Sequence, residues 1–436
     1  MSARSDFSYF QKQVAAPPTR IRRLAEILVP SNRFAIAGAL VFGIVIPELF
    51  HPLLAHGHSW AQALHPFDPM LYASATALLL AHLVLRKTSK LPFVDAKVMV
   101  LPVCVISFAI VMIMSGFVFR RLSYYHFTTA YMTGVMWYST LVVLRGRLGR
   151  PLVALVGIEQ IDNDLLAMRV DWTLWHGTRL PRGADAIVYD SNRDYPPAWE
   201  RFFARAVLRN IPVYDFDHFR EMLIGRVRLR SKPELVFGQL LPSQPYLRIK
   251  RVLDFLAALV LLVPSLAIIG VAAILIRLDS PGPAIFRQKR IGYQGRIFTC
   301  YKLRTMRTGV AGPHYTSEAD PRITRLGQRL RKLRVDELPQ IFNVLKGEMS
   351  WIGPRPEALS LSRSYEQSIP YYRYRHSVRP GISGWAAVHQ GNVALTDAAT
   401  RKLEYDFYYI KYFTIWLDIV IVFMTCRTIV TGFGSR

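Results

Sequence analysis

The stretch LRKLRVDELPQIFNVLKGEMSWIGPRP, residues 330–356, places an acidic pair before a short helical pattern and a rigid Gly-Pro-Arg-Pro turn. Pro339 has no backbone N–H and is tolerated near the start of a helix, and the apolar residues after it recur at helical spacing. Gly347 is suited to end this helix. The pattern therefore predicts a short helix whose positively charged N-terminal end carries Asp336 and Glu337.

The acidic pair has two interpretations. A charged carboxylate can attack phosphorus or hold a divalent cation, and Arg331, Lys332 and Arg334 stand just before the pair. Alternatively, Asp336 and Glu337 only cap the helix. The stretch by itself favours neither interpretation, so the rest of the chain has to decide between them.

The composition indicates membrane helices attached to sizeable polar domains. The chain has 436 residues, enough for two or three domains, and 51% of them are hydrophobic. Its formal net charge of +25 suits an anionic membrane surface or a site for phosphates. No nucleic-acid partner is expected, because the basic residues are spread among apolar segments. Cys104, Cys300 and Cys426 lack metal-binding or redox spacing and are expected to be reduced.

The first third of the chain predicts a basic cytoplasmic arm over residues 1–33 and four transmembrane helices within residues 34–145. The apolar segments run over residues 34–50, 70–85, 98–119 and 124–144. Residues 51–69 contain no Lys or Arg, whereas Arg145 and Arg147 follow the fourth segment. The positive-inside rule therefore places the N-terminus, and everything after Arg145, in the cytoplasm.

Residues 146–245 read as a small Rossmann-like α/β domain. Short buried strands are predicted at 152–156, 186–189 and 213–214. Pro196-Pro197 opens a predicted helix through Leu208 that presents Phe202, Phe203 and Val207 on one face. Only Gly157 follows the first strand, so we expect no nucleotide cofactor here. A spacer is the simpler role, and a regulatory or dimerising role stays open.

A further apolar run, Phe255 to Ile276, is long enough to span a membrane. Basic residues flank both of its ends, and Pro264-Ser265 interrupts it near the middle. A helix that bends there and returns would leave both flanks on the cytoplasmic face. A spanning helix with a proline kink is the alternative.

The remaining residues predict a two-stranded hairpin around a Gly292–Gly295 turn and two amphipathic segments at the membrane surface. The first segment carries an apolar stripe from Ile323 to Leu333, and an ordinary packing helix is the alternative for it. The second is the apolar tail, residues 408–430. A basic cluster, residues 373–379, precedes a tight turn suited to phosphate oxygens.

Residues 246–436 resemble the catalytic domain of the bacterial sugar transferases, the monotopic polyprenyl-phosphate phosphoglycosyl transferases that initiate exopolysaccharide, capsule and O-antigen synthesis. The matching motifs are KRVLDF at Lys250, DSPGPAIFRQKRIGYQGRIF at Asp279, YKLRTM at Tyr301, DPRITRLG at Asp320, LRKLRVDELPQIFNVLKGEMSWIGPRPE at Leu330 and RPGISGWAAVHQG at Arg379. Six motifs in this order make the resemblance highly specific.

The resemblance implies a fold class and a location. We expect a membrane α+β protein with a four-helix transmembrane bundle, a small Rossmann-like α/β domain, and a monotopic catalytic domain with interfacial amphipathic helices. Residues 252–276 would form its re-entrant membrane helix, broken at Pro264 and Ser265. The protein would lie in the bacterial inner membrane as a multi-pass protein with its catalytic domain on the cytoplasmic face, among inner-membrane lipids. We include a homodimer among the expected assemblies.

The resemblance also implies a two-step reaction that depends on Mg²⁺. The family's nucleophile falls on Asp336, which would attack a UDP-sugar, release UMP and carry a phospho-sugar until undecaprenyl phosphate accepts it. Glu337 matches the second member of the pair, and both are expected to hold Mg²⁺. The transferred group is expected to be a hexose 1-phosphate, glucose or galactose by analogy of architecture. The substrate- and phosphate-binding residues expected are Lys302, Arg304, Arg331, Arg355 and Arg379.

The chain departs from the family pattern at three places. Ala267 occupies the usual proline position, and Pro264-Ser265 lies about one turn earlier in reversed order. Arg334 and Val335 replace a small hydroxyl residue and Leu before the acidic pair, and residues 389–391 replace an asparagine-bearing segment. Two other functions are the alternatives. A catalytically inactive membrane scaffold would need no acidic pair, and a lipid or sugar carrier predicts charged residues inside the spans.

Overall fold

The computed structural model describes residues 31–47, 69–88, 96–118, 124–147, 150–168, 170–229, 241–308, 320–390 and 396–431. The predicted basic arm, up to residue 30, lies outside the described residues. The chain divides into two compact units, one ending at Asp215 and the other beginning at Phe216.

Within the described residues, helices lie in each of the four segments that were predicted to cross a membrane. They are α1 (Asn32–Leu40, continued by a π-helical turn over Val41–Val45), α2 (Pro69–Thr88), α3 (Ala96–Val118) and α4 (Tyr124–Arg147). Ala77, Phe108 and Ala130 belong to one buried cluster shared by α2, α3 and α4. Among the described residues of this unit, only Met99–Gly116 combines the length and hydropathy of a span. A crossing by all four helices stays a prediction.

A four-stranded parallel sheet follows, in the order β2-β1-β3-β4. Its strands are β1 (Leu152–Val156), β2 (Asp171–Leu174), β3 (Ala186–Tyr189) and β4 (Val213–Asp215), with helices α5 (Asn163–Leu166) and α6 (Pro197–Leu208). The predictions of β1, β3, β4 and α6 are confirmed. The edge strand β2 was missed because it lacks the buried apolar run of a central strand. Of the apolar face predicted for α6, Phe202 is buried, whereas Val207 is 60% exposed.

The second unit packs small sheets and short helices against one stripe of a long helix. Its elements are α7 (Phe216–Ile224), α8 (Gln244–Asp279), β5 (Ile285–Ile291), β6 (Ile297–Leu303), α9 (Arg325–Lys332), a 3₁₀ turn (Val335–Gln340), α10 (Ile341–Lys346), β7 (Ser350–Ile352), α11 (Leu359–Ser368), a second 3₁₀ turn (Tyr372–Ser377), β8 (Gly381–Ser383), α12 (Trp385–Gln390), α13 (Thr396–Lys411) and α14 (Ile415–Thr431). The antiparallel pair β5–β6 confirms the predicted hairpin.

Helix α8 is longer than the predicted 252–276, because the chain before it continues the same helix from Gln244. The α-helix continues through Pro264. One stripe of the helix is buried along its whole length, at Leu247, Lys250, Asp254, Ala258, Ser265, Ile269, Ala272 and Ile276. Ala258 packs with Ile341, and Ile276 packs with Leu330. Both halves of α8 therefore lie against the same unit, while the return of the helix within a membrane stays a prediction.

The two amphipathic segments pack differently from a helix that only lies on a membrane. Leu330 of α9 joins a buried cluster with residues of α8, which supports the packing interpretation, although Leu333 is 59% exposed. The prediction of one interfacial helix over residues 408–430 is wrong, because the chain forms α13 and α14 there. Asp418 is buried in α14, where it accepts hydrogen bonds from Tyr246 and Tyr409.

Candidate active site

The acidic pair lies on a 3₁₀ turn that leads directly into α10. The turn follows Arg334, whose φ of 54° lies in the left-handed region, and α10 ends at Gly347 with a φ of 84°. The predicted helix and its glycine terminator are confirmed. Arg251 of α8 donates to the carbonyl oxygens of Val344 (2.6 Å) and Leu345 (3.0 Å), in the last turn of α10. The long helix thus holds the end of the helix that follows the acidic pair.

A buried asparagine joins α10 to strand β6. Asn343 donates to the carbonyl oxygen of Thr299 (2.7 Å) and accepts from the backbone N–H of Tyr301 (3.2 Å). These bonds fix the strand beside the turn. Lys302, the next residue on the strand, then brings its Nζ within 2.9 Å of Glu337 Oε1.

Two glycine-containing motifs meet in the short parallel pair β7–β8, which places Arg355. Ser350 is paired with Gly381, and a Cβ on Gly381 would lie only 2.1 Å from the backbone nitrogen of Gly353. This close approach requires glycine at position 381. The Gly-Pro-Arg-Pro turn that leaves β7 directs Arg355 to Glu337, where Nη1 donates to Oε2 at 3.1 Å and Nη2 donates to Oε1.

The Glu337 carboxylate forms ion pairs with three basic side chains. Lys302 and Arg355 donate to its carboxylate, and Arg334 forms an ion pair with it at 3.8 Å. Burial alone would raise the pKa of Glu337, but attraction to Arg355 and Lys302 holds that pKa well below its ordinary value. Glu337 therefore stays charged and holds three basic side chains at one place.

Asp336, unlike Glu337, has no basic side chain bound to its carboxylate among the described residues. It is 8% exposed, and within the described part of the chain its carboxylate accepts no hydrogen bond and forms no ion pair. Burial, together with repulsion from the Glu337 carboxylate, raises the pKa of Asp336 to about 6, although Lys302, Arg355 and Arg331 act in the other direction. At neutral pH Asp336 is thus mostly charged, has no partner, and lies among cations that could contact a bound phosphate.

The other predicted phosphate-binding residues lie in different surroundings. Arg331 donates through Nε to the Thr305 hydroxyl (2.9 Å) and is near enough to Asp336 to interact with its charge. Arg304 is buried and donates to the carbonyl oxygens of Ser280 (2.6 Å) and Pro281 (2.8 Å), at the end of α8. These contacts favour a structural role for Arg304.

Arg379 also has contacts that do not involve the acidic pair. It donates through Nε to the carbonyl oxygen of Gly347 (3.1 Å), and its guanidinium lies 5.0 Å from the centre of the Tyr293 ring. No hydrogen bond or ion pair joins it to Asp336 or Glu337 in the part of the chain that the structure describes. Its predicted contact with phosphate stays a prediction.

Arg375, from the predicted basic cluster, holds the backbone of Arg355 and does not contact the acidic pair. It is buried, pairs with Asp406 at 2.7 Å, and donates to the backbone oxygen of Arg355 at 2.9 Å. Arg290 donates to the backbone oxygen of Pro356. Sequence reasoning placed Arg375 near phosphate because only its charge is visible there, whereas its partner Asp406 lies on a distant helix.

The side chains around the acidic pair can be compared with the ligands that the predicted Mg²⁺ would need. Among the described residues, no group of three or more His, Cys, Asp or Glu side chains could hold a metal ion. Glu337 is occupied by Lys302 and Arg355, so it does not fit the role of metal ligand in this arrangement. Asp336 fits that role, since Mg²⁺ commonly uses one carboxylate, substrate phosphates and water. Binding of Mg²⁺ stays a prediction.

The part of the chain that carries the acidic pair is similar to known proteins. A family model described as bacterial sugar transferase matches residues 245–432. The UDP-N-acetylgalactosamine-undecaprenyl-phosphate N-acetylgalactosaminephosphotransferase of Aeromonas hydrophila is 49% identical over 255 residues, which cover 58% of this chain and 60% of that protein. These aligned residues outnumber the positions from 245 to 432, so this likeness extends beyond the family segment.

Two further relatives align with shorter parts of the chain. The undecaprenyl-phosphate glucose phosphotransferase of Komagataeibacter xylinus is 40% identical over 186 residues, which are 41% of this chain and 35% of that protein. The UDP-glucose:undecaprenyl-phosphate glucose-1-phosphate transferase of Caulobacter vibrioides is 40% identical over 186 residues, which are 42% of this chain and 70% of that protein. The chain thus spans less than two thirds of the first two relatives.

Proposed function

The chain belongs to the bacterial sugar transferase family, and on that premise we propose that it transfers a sugar 1-phosphate from a UDP-sugar to undecaprenyl phosphate and releases UMP. The product would begin a polysaccharide such as an exopolysaccharide, capsule or O-antigen. The single observation that carries this proposal is the contrast within the acidic pair. Glu337 gathers basic side chains, while the charged carboxylate beside it has no partner.

In the first step, an oxygen of the Asp336 carboxylate attacks the phosphorus that bears the sugar. The P–O bond to UMP breaks, UMP leaves with the bonding electrons, and a phospho-sugar remains bonded to Asp336. Lys302 and Arg355 are held beside this carboxylate by Glu337 and stabilise the charge that develops on the phosphate oxygens. Splitting the transfer in this way divides one difficult step into two easier ones.

In the second step, a phosphate oxygen of undecaprenyl phosphate attacks the same phosphorus. The bond to Asp336 breaks, so the carboxylate is restored and the sugar leaves as undecaprenyl-diphospho-sugar. When bound, Mg²⁺ would neutralise negative charge on the donor phosphates, and Asp336 is the residue that would hold it. Glu337 acts by keeping its three cations in place.

The identity of the sugar is proposed from the relatives. The relative with 49% identity is named for N-acetylgalactosamine, while the two at 40% are named for glucose. We therefore place UDP-N-acetylgalactosamine first among the donors and UDP-glucose and UDP-galactose after it. A panel of UDP-sugars with undecaprenyl phosphate and the purified protein tests the proposal through UMP release. Absence of UMP with every donor would contradict it.

The rate of the first step should depend on pH through Asp336. In the protein without Mg²⁺, its pKa of about 6 means that the charged form, which attacks phosphorus and would also hold Mg²⁺, predominates above pH 6 and is lost below it. Single-turnover UMP release should therefore be level near pH 7 to 8 and fall about tenfold per pH unit below roughly pH 6. Quenched-flow measurement of UMP checks this. A rate that stays constant down to about pH 4.5 would show that no such group controls the step.

The proposal also requires α8 to leave both of its flanks on the cytoplasmic side. Its buried stripe carries Lys250 and Asp254 near one end, and a domain packed along the whole helix cannot follow it across a bilayer without burying such charges. Membrane entry and return, with a change of direction near Pro264, is the arrangement that we propose.

Cysteine labelling tests this topology. Single cysteines at Ser243 and Ser364, in a Cys426→Ser background, should both react with a membrane-impermeant maleimide from the cytoplasmic side. Both serines are exposed, and the other two native cysteines are buried. A cysteine at Ser59, in the predicted periplasmic loop, serves as the control for the opposite side. Labelling of Ser243→Cys and Ser364→Cys from different sides would mean that α8 crosses.

A further inference from the structure

An open groove of about 680 Å³ lies between the last turns of α8 and the start of strand β5. This volume is in the range of small-molecule binding sites. Its lining is mostly apolar, and each wall contributes one arginine. The residues that matter here are Ile274 and Arg277 from the helix, and Pro283, Ile285, Phe286 and Arg287 from the segment that enters the strand.

The two arginines are available to a ligand. Both are exposed, and neither Arg277 nor Arg287 takes part in a hydrogen bond or ion pair within the described ranges. The helical wall continues into the exposed apolar face of α8, where Val271, Ile274 and Leu278 are all more than half exposed. An apolar groove that opens onto such a face and carries two unpaired cations complements a ligand with a hydrocarbon chain and an anionic head.

The groove and the turn that bears the acidic pair share one hydrophobic cluster. Ala284 and Ile285 belong to the same hydrophobic cluster as Val335 and Leu338, which flank Asp336 and Glu337 in the chain. Arg304 fixes the two walls relative to each other, since it donates to Ser280 and its backbone N–H donates to the carbonyl oxygen of Ala284 (2.8 Å). The groove is thus a formed feature, and its wall packs into the same hydrophobic cluster as the turn that bears the acidic pair.

We infer that this groove binds the lipid acceptor, with the phosphate of undecaprenyl phosphate between Arg277 and Arg287 and its first isoprenoid units along the apolar walls. The inference rests on the proposed function and adds to it the place where the second substrate binds. The rest of the lipid chain would stay in the bilayer, along the exposed face of α8. The bound phosphate would then lie beside the turn that bears the phospho-sugar on Asp336.

The two half-reactions separate this inference from the proposed function. Full-length protein in phosphatidylcholine vesicles is first incubated with UDP-sugar alone, and UMP release measures the formation of the Asp336 adduct. Undecaprenyl phosphate is then added at increasing concentration, and the rate of adduct discharge is followed. The variants are Arg277→Gln, Arg287→Gln and both together. Arg248→Gln is the matched control, because Arg248 is an exposed arginine near the other end of α8.

Each single variant should raise the concentration of undecaprenyl phosphate for half-maximal discharge about tenfold, and the double variant more, while adduct formation changes by less than about twofold. Arg248→Gln should leave both steps unchanged.

An unchanged half-maximal concentration in the double variant, with normal adduct formation, would overturn the groove assignment and leave the proposed function intact. A defect that phosphatidylglycerol in the vesicles corrects, with no dependence on acceptor concentration, would also overturn it, in favour of a general phospholipid contact. No adduct in the unmodified protein would instead refute the proposed function.

Discussion

Asp336→Asn is expected to abolish turnover while making the folded protein more stable. The amide cannot form the phospho-sugar adduct, so UMP release with donor and acceptor present should fall by at least about 10³-fold. The measurement is a steady-state UMP assay on purified protein. Asp194→Asn is the matched control, since Asp194 is an exposed aspartate in the first unit and should leave the rate unchanged. Full UMP release by Asp336→Asn would contradict the proposed mechanism.

The gain in stability follows from the raised pKa of Asp336. Its folded-state pKa of about 6 lies above the ordinary value of 3.8, so the folded state binds this proton more tightly than the unfolded chain does. The charged carboxylate therefore lowers stability progressively as pH rises from about 4 to above 6. Removing that charge should increase the free energy of unfolding at pH 7.5 by on the order of 3 kcal/mol, and most of the gain should be lost near pH 4. The midpoint of thermal unfolding in detergent measures this, and a lower midpoint for Asp336→Asn at pH 7.5 would contradict it.

Glu337→Gln is expected to change stability in the opposite direction. The neutral amide leaves the partly buried side chains of Lys302, Arg355 and Arg334 together without a compensating negative charge. Removing one partner of a buried ionic group in this way typically costs about 3–5 kcal/mol. The same unfolding measurement should therefore show a large decrease in the midpoint. Activity should fall as well, because the three cations lose the group that positions them.

Comparing the two variants makes the test specific. A purely structural cap role for both acidic residues would give two destabilised variants of similar size, about 1 kcal/mol each. The proposed division of roles gives a more stable Asp336→Asn and a much less stable Glu337→Gln. Glu337→Gln with unchanged stability would mean that the cluster around Glu337 does not exist as described.

Local signals were sufficient to predict the centre of the site. The helix after the acidic pair follows from Pro339 and Gly347, whose backbone restrictions act within a few residues. The hairpin β5–β6 follows from its glycine-bounded turn and alternating strands. The exposed edge strand β2 gave no such signal, and the start of α8 was missed because its charged residues are buried by distant parts of the chain.

The roles of the arginines could not be read from the sequence. Arg304, Arg355 and Arg375 look alike there, since each is a cation near a motif. In the structure Arg304 holds the end of α8, Arg355 holds Glu337, and Arg375 pairs with Asp406 behind the site. These roles depend on partners far away in the chain, which only the folded arrangement brings together. The division of labour between Asp336 and Glu337 was missed for the same reason.

The most direct test of the central claim is mass spectrometry of the protein after incubation with UDP-sugar in the absence of undecaprenyl phosphate. The mechanism predicts a mass increase of one sugar phosphate on the intact chain, which peptide mapping assigns to Asp336. Addition of undecaprenyl phosphate should remove this mass. UMP release without any covalent sugar phosphate, or with the adduct on another residue, would contradict the account.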